Sequence, residues 1–211
     1  AAVDVEAAPA SVHVRAAAWE RFALLRARAA AGDRELGARA MRVAHAAAYD
    51  LPFDARGAAE EIARLRARLE RENSQQRRGR YDVKLGRGGL VDVEFAVQLL
   101  QLEHGKDPRV RTSDTAVAIE ALAACGYLPP RRAAALRDGH AFLRKIEQRL
   151  RVVHANAAQL LEERAPGLVP LARRMGIRAA GGQDAAEELL ARYREVTSRV
   201  REAYDEIMTR A

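Results

Sequence analysis

Apolar residues along this chain recur at helical steps of three and four in block after block, and strand-like alternation is nearly absent. A first block, from about residue 13 through Ala30, sets Trp19, Phe22, Leu25 and Ala29 on one stripe. Gly32-Asp33 then ends one helix and caps the next, which runs to about Tyr49 before the break at Leu51-Pro52-Phe53-Asp54. From about Arg56 to Gln76, Ile62, Leu65 and Leu69 form a thin apolar stripe, with Glu61, Arg64, Arg68, Glu70 and Arg71 facing water. The segment from about Asp92 to Glu103 is apolar on most sides, through Val93, Phe95, Val97, Leu99, Leu100 and Leu102. It should be the central, buried helix. After a turn at Gly105-Lys106-Asp107-Pro108, Ser113 or Asp114 caps a helix ending near Cys125-Gly126. Pro130 opens a long helix to about Ala155, because a proline in the first turn has no needed amide to lose. A short helix near Leu168–Met175 follows. A last long one runs from about Gln183 to Thr209, with Leu189, Tyr193, Val196, Val200, Ala203 and Ile207 at helical spacing. The longest strand-like run is Tyr81–Leu85. The pattern predicts an all-α bundle of about seven to eight helices with no significant sheet. Residues 1–12, with Pro9 and no period, read as a linker or severed interdomain connection, and residues 13–211 as a single helical domain.

Composition narrows the class. The 211 residues are enough for a real core, and 49% are apolar but only 5% aromatic, so alanine and leucine supply close helix-on-helix packing. No long apolar window exists, so no membrane partner is expected, and no basic-then-apolar start signals secretion. The lone Cys125 can form no internal disulfide and reads as a small core residue of a cytoplasmic protein. A net charge of +7 invites a nucleic-acid reading. Yet only Lys84, Lys106 and Lys145 of the 36 basic residues are lysine, and the arginines are spread over every helix among 29 acids. Solvated, salt-bridged helix faces account for that pattern, so nucleic acid is not an expected partner.

One stretch departs from the helical monotony. Tyr81 to Phe95 packs an apolar run, three glycines, Asp92 and Glu94 into fifteen residues, behind the basic loop Gln75–Arg80. Gly86, Gly88 and Gly89 permit positive φ and close backbone approach, and Asp92 is placed to cap the following helix. A turn and a cap leave Glu94, Gln98 and Gln101 unexplained; they share one stripe of an otherwise apolar helix. A buried carboxylate needs a partner. Arg144, Glu147 and Arg151 share a face of the long helix, so an Arg144–Glu94 pair with Gln98 and Glu147 would form a polar seam between the central helices. Such a seam is either purely structural or also faces a ligand or catalytic site, and both readings stand at this stage.

The glycines followed by Asp92-Val93-Glu94 imitate a nucleotidyltransferase signature, whose paired carboxylates hold Mg²⁺. In that fold the acids alternate on a strand; at i and i+2 of a helix they point about 200° apart. No metal site is therefore expected. His13, His45, His104, His140 and His154 show no metal spacing, Cys125 has no adjacent base, and there is no Walker loop. No catalytic residue is expected in this chain.

The stretch Lys84-Leu85-Gly86-Arg87-Gly88-Gly89-Leu90-Val91-Asp92-Val93-Glu94-Phe95-Ala96-Val97-Gln98 resembles the hallmark of glutamine synthetase adenylyltransferases. Trp19-Glu20-Arg21 with Ala23-Leu24, and Phe142-Leu143-Arg144 with Glu147, are similar to two further segments of that family. The resemblance implies a large cytoplasmic protein of two similar halves, each a nucleotidyltransferase domain followed by a helical domain. One half transfers AMP from ATP, with Mg²⁺, to a tyrosine of glutamine synthetase; the other removes it by phosphorolysis. A PII-type signal protein and glutamine set the balance. This chain matches the helical domain only, with Asp92 favouring the second half. The implied partners are glutamine synthetase, the PII-type protein and the missing nucleotidyltransferase domain. ATP and Mg²⁺ would belong to that domain, none being bound here. In this light Lys84, Gly86, Arg87, Gly88, Gly89 and Asp92 form an interface or nucleotide-proximal loop, and Glu94, Gln98, Arg144 and Glu147 hold the helices in register. The alternatives are a stand-alone helical adaptor, a basic nucleic-acid-binding bundle and the helical part of a PII uridylyltransferase.

Overall fold

The computed structural model describes residues 17–153, 160–178 and 184–210, and these hold eight α-helices. They are α1 (Ala18–Leu25), α2 (Arg34–Tyr49), α3 (Ala55–Glu72), α4 (Leu90–Glu103), α5 (Thr115–Ala124), α6 (Pro130–Val153), α7 (Leu168–Arg174) and α8 (Ala185–Arg210). A short 3₁₀ turn, Pro108–Val110, links α4 to α5. The expected linker 1–12, the start of the first helix before Ala17, the end of the long helix at Ala155, and His13 and His154 lie outside the described residues.

Local chemistry sets most boundaries. Asp33, Asp54 and Asp114 each accept an amide of the helix they precede (Leu36 N at 2.8 Å, Gly57 N at 3.0 Å, Ala116 N at 2.8 Å). Each such cap is worth about 1 kcal/mol. Two expectations shift. The third helix stops at Glu72 rather than Gln76, and α1 stops at Leu25 rather than Ala30.

The first helix turns Phe22 and Leu25 inward as expected but leaves Trp19 outside. Ala18, Arg21, Phe22 and Leu25 are its buried residues, and Trp19 is 53% exposed. Arg21 is the cause. Its Nε and Nη2 donate to the Ala48 carbonyl at 3.0 and 2.6 Å, and its Nη1 donates to Pro52 O at 2.9 Å, closing the C-terminal end of α2. A side chain two residues away on a helix points to nearly the opposite side, so burying Arg21 turns Trp19 outward.

Helix α4 is the axis of the bundle, packed by α1, α3, α5, α6 and α8. Leu90, Val93, Val97, Leu99, Leu100 and Leu102 are all buried, at about 1.5–3 kcal/mol apiece. Helix α8 runs through two apolar clusters. Its second half joins the cluster of α1, α3, α4 and α5, while its first half packs with α7, Leu143, Ile146 and Val83. A two-stranded ribbon, β1 (Arg80–Asp82) with β2 (Leu160–Glu162), is antiparallel with Tyr81 opposite Leu161. β2 is too short to alternate visibly. Its place comes from pairing with β1, reinforced by an Arg80–Glu162 ion pair at 3.0 Å.

Candidate functional site

The loop between β1 and α4 is held by many bonds within its own residues. Asp82, itself buried, accepts the amides of Lys84 (3.0 Å) and Leu85 (2.8 Å) through Oδ1. Gly86 N donates back to Asp82 O, and Gly89 N to Gly86 O, both at 2.9 Å. The first amides of α4 need acceptors that the helix lacks. They find them in the loop, Leu90 N on Val83 O at 3.1 Å and Val91 N on Lys84 O at 3.2 Å.

This arrangement corrects the role given to Asp92. Gly89, not Asp92, is the N-cap of α4, because the loop carbonyls already take the first amides. Asp92 sits in the first turn with no exposure and reaches backwards, accepting from Gly88 N at 2.7 Å. Its other oxygen pairs with Arg66 Nε of α3. Arg66 is 1% exposed and also donates Nη2 to Gly86 O at 2.8 Å. Arg201 of α8 approaches Asp92 at 3.4 Å and Glu70 at 3.6 Å, and pairs with Asp205 at 2.9 Å. Burial alone would lower the Arg201 pKa, but the Asp205 hydrogen bond with Asp92 and Glu70 raises it. Burial first, then the Asp92 charge, pushes the Tyr204 hydroxyl up. One buried carboxylate thus ties the loop to three helices.

Neither Arg66 nor Arg201 stood out in the sequence. A signal for Arg66 existed, since position 66 continues the buried steps Ala59 and Ile62 of α3. An arginine on a predicted apolar stripe marks a buried acid elsewhere.

The loop carries two cations. Arg87 is exposed and reaches Asp205 at 3.5 Å. The Lys84 side chain, half-buried, has no hydrogen-bond or ion-pair partner among the described residues. Arg87 also stands between two open cavities against α8, of about 500 Å³ on the α3 side and about 350 Å³ on the Tyr81 side. Gly86 and Gly89 lie buried in the turn, and Gly88 rests directly on the α8 backbone at Thr197.

The residues assigned to a polar seam separate into two places. Glu94 lies between Arg26 at 3.4 Å and Arg144 at 3.9 Å. Glu147, 2% exposed, pairs with Arg144 at 2.7 Å and Arg151 at 3.1 Å. The nearby His140 has its pKa lowered by burial and then by the Arg144 charge. Gln98 does not join them; its amide turns to Phe22 O at 3.4 Å, and Gln101 turns to Val110 O and Thr112 O at 2.7 and 2.8 Å. Replacing Arg144 by methionine leaves Glu147 with Arg151 alone. We expect a loss of about 1.5–3 kcal/mol, read as a melting temperature lower by about 3–10 °C. An unchanged melting temperature would remove Arg144 from the structural account.

Asp92 and Glu94 do not suit a shared metal. Both Asp92 oxygens are engaged by the loop and by arginines, while Glu94 faces Arg26 and Arg144. Among the described residues no cluster of three or more His, Cys, Asp or Glu side chains is arranged as a ligand set. No helix of the described residues is long and apolar enough to cross a membrane.

Fold and loop together define a class: an all-α domain built around a buried helix that is entered through a glycine turn clamped by an Arg–Asp pair. Residues 56–208 match the family described as GlnD PII-uridylyltransferase, and the chain belongs to that family. Among curated proteins it is 38% identical to the bifunctional glutamine synthetase adenylyltransferase/adenylyl-removing enzyme of Leifsonia xyli subsp. xyli, over 91% of this chain. The proteins of that name from Mycobacterium avium and Streptomyces coelicolor are 40% and 36% identical, over 86% and 91% of this chain. The chain spans only 18–19% of the length of these three relatives.

Proposed function

We propose that this chain is the helical domain of an enzyme that adenylylates and deadenylylates a tyrosine of glutamine synthetase, and that it acts by supporting a neighbouring nucleotidyltransferase domain. The similarity to bifunctional adenylyltransferase/adenylyl-removing enzymes extends over nearly the whole chain while covering under a fifth of theirs. The observation that carries the supporting role is the loop: a turn fixed by internal hydrogen bonds that bears the exposed Arg87 and a half-buried Lys84 with no ion-pair partner among the described residues. Cations carried on a fixed turn of this kind suit the phosphates of a nucleotide held next door, or an acidic strip of the target protein. ATP and Mg²⁺ belong, on this reading, to the neighbouring domain; the target is glutamine synthetase, a PII-type protein regulates, and the setting is the cytoplasm. The Glu94–Arg144–Glu147 group keeps α4 and α6 in register and takes no part in chemistry.

The test uses the longer parent enzyme carrying Lys84→Ala or Arg87→Ala. AMP transfer to glutamine synthetase should fall by about 10- to 100-fold in at least one variant, the value of a charge-assisted contact. Normal transfer and normal ATP affinity in both would exclude the loop from the reaction. A second reading, the helical part of a PII uridylyltransferase, draws on the family description. Transfer of UMP from UTP to a PII-type protein by the parent, with none of AMP to glutamine synthetase, would establish it instead.

A further inference from the structure

We propose that Trp19 and the outer side of α3 form a docking face for an acidic surface, tipped by an aliphatic side chain, on the remaining polypeptide of the longer enzyme. This rests on the reading above that the chain is one domain of such an enzyme. Trp19 is the only tryptophan in the sequence, and it is more than half exposed where Phe22 and Leu25 of the same helix are buried. Its backbone is also fixed. The Glu61 carboxylate accepts Ala18 N at 3.2 Å, which pins the first turn of α1 onto α3, and Glu20 accepts Ala17 N at 2.8 Å, which caps the same turn. An exposed indole on a fixed helix turn is among the side chains that most often anchor a protein interface, because it covers much apolar area with little entropy to lose.

Beside it lies a shallow groove of about 710 Å³ lined by Trp19, Leu65, Arg64, Arg68 and Arg71. The charge around that groove is unbalanced. Some surface arginines are matched, such as Arg132 with Glu206 at 2.5 Å, Arg137 with Glu120 at 3.4 Å and Arg194 with Glu163 at 2.5 Å, whereas this rim gathers three arginines around one groove. Arg68 and Arg71 have no hydrogen-bond or ion-pair partner among the described residues, and Arg64 reaches Glu60 only at 3.9 Å. The groove's own acid, Glu61, is engaged at Ala18. An apolar centre with an arginine rim selects carboxylates flanking an aliphatic side chain. The floor of Trp19 and Leu65 favours a protein surface over a phosphate backbone, which needs a denser row of cations. The relatives are more than five times as long as the matched part, so in them there is ample further chain to supply that surface.

Hydroxyl-radical footprinting, read by mass spectrometry at Trp19, compares the 211-residue chain with the parent enzyme. Oxidation of Trp19 should be about fivefold or more slower in the parent, as covering a half-exposed indole requires. Arg68→Glu with Arg71→Glu in the parent should return it to the rate of the isolated chain; both positions are exposed, so an unchanged far-ultraviolet spectrum verifies folding. Equal rates in wild-type parent and isolated chain overturn the proposal. Salt-sensitive duplex binding by the isolated chain, lost in the double variant, together with those equal rates, assigns the face to nucleic acid and overturns it as well. AMP transfer to glutamine synthetase, assayed on the same parent preparation, separates the two claims. Protection of Trp19 without transfer removes the proposed function and keeps the interface, whereas transfer without protection removes the interface alone.

Discussion

Replacing Gly88 by alanine should cost more than about 3 kcal/mol or abolish cooperative unfolding altogether, the largest effect we expect of any single methyl group in this domain. Two penalties coincide there. Gly88 has φ +72, which a side chain occupies at a cost, and a Cβ built on it would lie 1.9 Å from the Thr197 carbonyl oxygen and 2.8 Å from Thr197 Cα. The obstacle is helix backbone, not the far end of a flexible side chain, so relief requires the loop to lift off α8. Lifting would also break the Gly88 N–Asp92 bond and open the Arg66 cage. Gly126 supplies the control, since it has φ +78 with nothing within 4 Å of its Cβ position. Gly126→Ala should therefore cost only about 1 kcal/mol, the conformational part by itself. Urea unfolding of the two variants checks the difference. Equal midpoints would mean that the close approach of loop and helix carries no energy.

Arg66→Met should destabilise by about 3–5 kcal/mol, because it leaves the fully buried Asp92 with the Gly88 amide and, as its one charged partner among the described residues, the more distant Arg201. Two further variants give the pair its signature. Arg66→Lys recovers little, since an ammonium cannot donate to Asp92 and to the Gly86 carbonyl with the planar fork that Arg66 uses. Arg66→Met combined with Asp92→Leu should be more stable than Arg66→Met alone, because the uncompensated charge has gone. Chemical denaturation of the single and double variants closes the cycle. A loss below about 1 kcal/mol for Arg66→Met would show that the charges are solvated in solution and that the clamp is not what orders the loop.

The fold was open to reading because its information is local. The 3.6-residue period, the aspartate caps at Asp33, Asp54 and Asp114, and Pro130 at a helix start each act within one turn of chain. The errors lie where a distant partner overrides the local pattern. Trp19 has the spacing of a core residue, but Arg21 takes the inward place beside Phe22 and Leu25 to reach the Ala48 carbonyl, and Trp19 is left outside. Asp92 has the look of an N-cap, but loop carbonyls had already satisfied the amides it would have bonded. Gln98 shares a stripe with Glu94, yet Phe22 O lies nearer than the expected seam. The ribbon partner Leu160–Glu162 carries almost no strand signal and exists only by pairing with Arg80–Asp82.

The sequence by itself determined the helix count, the burial of Val93, Val97 and Leu100, and the singular character of the run from Lys84 to Gln98. Those properties follow from periodicity and composition, which neighbouring residues enforce on one another. Only the tertiary structure decided what the glycine run is for: a turn pressed onto Thr197 of a helix more than a hundred residues later and locked by Arg66 from a third helix. The reason is physical. Close approach and the neutralisation of a buried charge are pairwise events between distant chain segments, and no local pattern names the partner.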